Sequence, residues 1–116
     1  MAESKEFNLL NKNGNIKLQI GKDVFGLDVN EKKRVHRAFK KALDTTELVP
    51  MSVNGTLIMY DNGLIAANIN IGKMDIAGTK YLLMVYSLTP NSDKYDVNNF
   101  LLTREVLERY IEMLGV

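Results

Sequence analysis

Residues 48–71 read LVPMSVNGTLIMYDNGLIAANINI, three apolar runs broken by Asn54-Gly55 and by Asp61-Asn62-Gly63. Asn-Gly supplies the positive φ angles that tight hairpin turns demand, so these breaks predict an antiparallel meander. Its strands are expected at 48–53, 56–60 and 64–71. Pro50 has no N–H to give a ladder, which places its strand at a sheet edge or its residue at a strand start.

Downstream, 72–78 reads as a connection and 79–88, TKYLLMVYSL, as a further strand. Tyr81, Leu83 and Val85 fall on one face of it, Leu82, Met84 and Tyr86 on the other. A strand with one face in water would alternate apolar with polar. This one is either covered twice or gives its second face to another molecule, a homodimer included. Residues 89–99, with Pro90, read as a polar loop. Thr103 is the expected cap of a final helix with Val106, Leu107, Tyr110, Ile111 and Leu114 on one side.

Upstream, 7–10 and 15–20 read as strands flanking Asn11-Lys12-Asn13-Gly14. Ile16, Leu18 and Ile20 alternate with Lys17 and Gln19, the period of a half-buried strand. Gly21-Lys22-Asp23 turns the chain into a short strand at 24–27. Asn30 is the expected N-cap of a helix over 31–43, where Val35, Ala38, Phe39, Ala42 and Leu43 keep helical spacing. Asp44-Thr45-Thr46 ends it. The order ββ(β)α ββββα predicts an α+β fold, an antiparallel meander sheet with two helices packed on one face. A chain of 116 residues supports one core, so 1–116 is read as a single globular domain with a flexible 1–6.

Composition narrows the chemistry. There is no Cys, which removes disulfides, thiolate metal sites and Cys nucleophiles. The N-terminus lacks a signal-peptide pattern, and the longest apolar run, 81–86, is too short to span a bilayer. A cytoplasmic protein with no membrane partner is expected. Lys outnumbers Arg and Asn is frequent, which hints at an AT-rich genome, such as that of a Gram-positive bacterium or its phage. The stretch 21–26 lacks the Gly-Lys-Ser/Thr ending of a phosphate loop. His36 is the single histidine and cannot build a multi-His metal site. Asn91, Asp93 and Asp96 share a polar loop but lack Ca²⁺-loop spacing. No serine sits in a nucleophile elbow. The reading is non-enzymatic, with no cofactor and no metal.

Charge carries the functional signal. Residues 1–41 hold ten Lys/Arg against five Asp/Glu, whereas the remainder holds five against nine. On a helical wheel the face opposite Val35 and Phe39 holds His36, Lys40, Lys33, Arg37, Lys41 and Arg34, with no acid. Lys32 lies beside the apolar sector. Solvated helix faces usually mix signs, because i,i+4 opposite pairs stabilise and like pairs cost similar amounts. Lys32, Lys33 and Arg34 are also expected in the first turn, where the dipole disfavours cations. The last helix mixes Arg104, Glu105, Glu108, Arg109 and Glu112, so the same chain makes the neutral choice there. The basic helix therefore reads as a footprint for an anion.

Nucleic acid is the expected partner, DNA in particular and single strands included, with Lys33, Arg34, Arg37, Lys40, Lys41 and His36 on phosphates. Lys17 and Lys22 extend the patch if the first meander lies beside the helix. A sheet face bearing Thr56, Ile58, Tyr60, Asn68, Asn70 and Tyr81 is a second candidate, for stacking bases. The alternative is a protein-interaction module, a small phage-type regulator or inhibitor docking on an acidic partner.

Overall fold

The computed structural model describes residues 6–45, 55–59, 65–88 and 95–115. The chain runs β1 (Phe7–Lys12), β2 (Asn15–Ile20), β3 (Asp23–Gly26), α1 (Val29–Asp44), β4 (Gly55–Met59), β5 (Ile65–Asp75), β6 (Thr79–Leu88), β7 (Tyr95–Leu102) and α2 (Arg104–Leu114). This is the expected α+β order. The strands divide into two antiparallel sheets, β1-β2-β3 and β4-β5-β6-β7.

The first sheet starts from a two-residue hairpin. Asn13 and Gly14 have φ of 54° and 87°, and Lys12 pairs with Asn15 across them. Positive φ at both central residues matches the twist of the flanking strands, and Asn with Gly accepts it at least cost. The Asn11 side chain accepts from the Gly14 N–H at 2.9 Å, which closes the turn. Phe7, Leu9, Ile16, Leu18, Ile20 and Phe25 point to one face and are buried.

In the second sheet β6 sits between β5 and β7, in register over Asn68↔Tyr86↔Val97, Asn70↔Met84↔Asn99 and Gly72↔Leu82↔Leu101. The inner face buries Ile58, Ala67, Ile69, Ile71, Tyr81, Leu83, Val85 and Leu102. Helix α1 packs over β4 and β5, and α2 over β6 while also touching β1 and α1. Phe7 meets Phe100 and Tyr110 with ring centroids 5.6 and 5.7 Å apart, tying both sheets and α2 into one core.

Several boundaries differ from the sequence reading. The expected connection at 72–78 is strand as far as Asp75, and only Ile76, Ala77 and Gly78 turn the chain. Gly72, expected at the start of that connection, is paired in the ladder opposite Leu82, where the long β6 gives it a partner. The expected polar loop at 89–99 gives way to β7 from Tyr95. Asn98 and Asn99 are poor strand formers, and pairing with Val85 and Met84 overrides that preference. Expected features at 48–53, at Pro50 and in the turn 61–63 lie outside the described residues, as do Asn91 and Asp93.

Candidate nucleic-acid interface

Helix α1 begins earlier than the sequence suggests. Asp28, not Asn30, is the N-cap: its side chain accepts from the Glu31 N–H at 2.7 Å, and Glu31 accepts from the Asp28 N–H at 2.9 Å. This reciprocal capping box satisfies two orphan donors at once. Asn30 then falls inside the first turn. The shift also moves Lys32, Lys33 and Arg34 past the first turn, which carries Glu31 as its acid. The dipole penalty expected for those cations is therefore largely relieved.

Glu31 does a second job. It is 5% exposed, and its other carboxylate oxygen accepts from the Met59 N–H at 2.9 Å. The β4–β5 register shifts between Ile58 and Met59. A strand irregularity leaves a backbone donor without a ladder partner, and Glu31 accepts from it. One buried carboxylate thus sets the start of α1 against the second sheet.

The wheel reading of α1 holds. Val35, Ala38, Phe39 and Ala42 are buried and Leu43 is half-buried. Lys33, Arg34, Arg37, Lys40 and Lys41 are exposed, and His36 and Lys32 are half-buried. An open concavity of about 780 Å³ is lined by Lys33, His36, Arg37, Lys40, Lys41, Asp44 and Thr45. Arg34 is exposed on the same helix without lining it. Asp44, the acid among these described residues, lies 3.7 Å from the Lys40 ammonium.

Lys73, which sequence reasoning passed over, belongs to the same neighbourhood. Its ammonium donates to the Thr45 carbonyl at 2.8 Å, just past the last turn of α1. A cation there answers the negative end of the helix dipole. No sequence signal ties Lys73 to Thr45, because the contact depends on how α1 crosses β5.

Lys17 and Lys22 do not join the patch. Lys17 is on the face of β2 opposite Ile16, Leu18 and Ile20, with its ammonium over Gly26 of the paired strand. Lys22 is exposed in the turn between β2 and β3. The expected base-stacking face is not one surface either. Ile58 pairs with Ala67 on the inner face, whereas Asn68 and Asn70 belong to the outer face, and Thr56 is paired in the ladder with Ile69. Tyr81 is completely buried under the helices, where it cannot meet a base. Tyr60 lies outside the described residues.

Helix α2 provides the comparison. Thr103 caps it as expected, its hydroxyl accepting from the Val106 N–H at 3.3 Å, and Arg104 bonds Glu108 at 3.0 Å across one turn. Leu107, Tyr110 and Leu114 are buried. Its exposed face alternates acids with cations, whereas the exposed face of α1 carries one acid, Asp44, at its last residue.

Among the described residues no group of His, Asp and Glu side chains could hold a metal ion, and no helix is long and apolar enough to cross a membrane. No family model, curated protein or solved structure matches the chain.

Proposed function

We propose that the chain is a non-enzymatic nucleic-acid-binding protein that lays the outer face of α1 on a phosphate backbone. The observation that carries this reading is the set of Lys33, His36, Arg37, Lys40 and Lys41 around one open concavity, where Asp44, the acid among the described lining residues, lies beside Lys40. Lys33, Arg37 and Lys41 stand at i, i+4 and i+8, about 6 Å apart along the axis. His36 and Lys40 form a second row beside them. Such rows contact successive phosphates and read no sequence, so single- and double-stranded DNA are both substrates for them.

Binding of this kind releases counterions. With four or five phosphates engaged, affinity is expected to fall by roughly two orders of magnitude between about 50 and about 200 mM salt. Fluorescence anisotropy with labelled single- and double-stranded oligonucleotides at the two salt levels measures it. The triple variant Arg37→Glu, Lys40→Glu, Lys41→Glu should abolish binding while keeping the circular-dichroism spectrum. Undiminished binding by that variant, or none by the wild type at low salt, rejects the reading. Retention of a stoichiometric acidic protein from nuclease-treated lysate, with no oligonucleotide bound, would assign the helix to a protein partner instead.

A further inference from the structure

The concavity on α1 follows from helix geometry. The described residues that line it fall into two rows, Lys33–Arg37–Lys41–Thr45 and His36–Lys40–Asp44, each stepping by four along the chain. Such rows are the natural ridges of an α-helix, and neighbouring ridges enclose a groove. The concavity is therefore a trench between two ridges, about 18 Å long from Lys33 to Thr45. Cations stand on both ridges as far as Lys41. Beyond it Asp44 adds a negative charge and the helix dipole its negative pole, so the anion-binding length ends there. Below the charged tips the lining is mostly carbon, from the stems of the Lys and Arg side chains and the half-buried ring of His36.

We infer that this trench takes an unstacked base of a single strand, which stacks on the His36 ring while the ridge cations hold the phosphates on either side of it. This assignment rests on the phosphate-binding reading of α1 and names the form of nucleic acid that uses the whole site. Phosphates need only the cations at the ridge tops. The trench of about 780 Å³ beneath them is room that a backbone alone leaves unfilled. Its volume lies in the range that encloses a flat, drug-sized ring system. Among the described lining residues His36 supplies the aromatic ring, and Lys33 and Lys40 flank it at three and four residues along the same helix face. A base stacked there has a cation for the phosphate before it and another for the phosphate after it. Every base has a π-face, so the site tolerates sequence.

A duplex cannot use the trench in this way, because its bases are stacked inside it. Nor does α1 reach them by entering a groove. The helix is packed on β4 and β5 beneath and on α2 at its side. Two helices packed ~10 Å apart, each ~10 Å across, form a slab roughly 20 Å wide, whereas the major groove is about 12 Å wide. A duplex therefore meets the ridge cations alone, and a single strand meets the ridges and the trench.

Fluorescence anisotropy at about 50 mM salt tests this with three probes: a single-stranded oligonucleotide, the same strand made abasic, and a duplex. The abasic strand keeps every phosphate and loses every base. Wild-type protein should bind the base-bearing strand at least about fivefold tighter than the abasic one. His36→Ala should erase that margin and leave duplex affinity unchanged. His36→Phe keeps a ring and should keep the margin, whereas His36→Lys keeps a cation, loses the ring and should lose it. Circular dichroism checks that each variant folds. Equal binding of the base-bearing and abasic strands, or a His36→Ala loss as large on duplex as on single strand, overturns the inference and leaves phosphate contact by α1 standing. Binding of none of the three probes overturns both.

Discussion

Glu31 and Tyr110 show how single polar groups organise this fold. Glu31 accepts backbone hydrogen bonds from Asp28 and Met59 while its own N–H is capped by Asp28. Truncating it leaves the Asp28 and Met59 N–H groups, both in part-buried hydrogen bonds, without these acceptors, at ~1–3 kcal/mol each. Glu31→Ala is therefore expected to destabilise by about 3 kcal/mol, and Glu31→Gln, which retains one acceptor oxygen, by about half as much. Urea midpoints of the two variants check the order. Tyr110 is the second case: its hydroxyl donates to the Phe7 carbonyl at 3.4 Å, and burial raises its pKa above 10.0, Arg109 opposing weakly. In the unfolded chain the phenol deprotonates first. Its contribution to stability is thus complete below about pH 10 and is lost as pH climbs through the higher folded value. Tyr110→Phe should flatten the alkaline fall in stability, read as urea midpoints between about pH 8 and about pH 11.

Helix α1 combines a role in stability with a surface that opposes stability. Arg37 has Lys33 and Lys41 four residues away and Arg34 and Lys40 three away. Arg37→Glu converts these like-charge neighbours into opposite ones, which should raise stability by roughly 0.5–1 kcal/mol. The same change should lower oligonucleotide affinity at least tenfold. A variant that folds better and binds worse would show that the positive face is retained for contact rather than for the fold. Thermal melts and anisotropy on one preparation give both numbers. The helix was legible in the sequence because the spacing of Val35, Ala38, Phe39 and Ala42 is a local signal. Strand β6 was legible too, its bounds and both apolar faces included. What escaped depends on partners distant in sequence. Asn98 and Asn99 form a strand only because β6 offers them a ladder, Gly72 is held by Leu82, and Lys73 reaches Thr45 through the packing of α1 on β5. The capping box is the exception: Asp28 and Glu31 stand at the spacing of that motif, which the sequence reading passed over in favour of Asn30. Of the proposed site, the helix cations could be seen on the wheel, whereas the places of Lys17 and Tyr81 required the register of two sheets.

At the scale of the whole molecule the described helices cover the inner face of the second sheet, and the cations of α1 look away from that sheet. With a net charge of +1 per chain there is no general positive field to wrap a strand around the particle, only the local patch on α1. Contact with nucleic acid should therefore be confined to the length of one helix. The 16 residues of α1 span roughly 24 Å, about seven base pairs of duplex. Duplexes of about 20 and about 40 base pairs should then bind with the same affinity per site and the same salt slope, read by fluorescence anisotropy. A slope that steepens with duplex length would mean that the strand wraps beyond the helix, and the assignment of contact to α1 alone would be wrong.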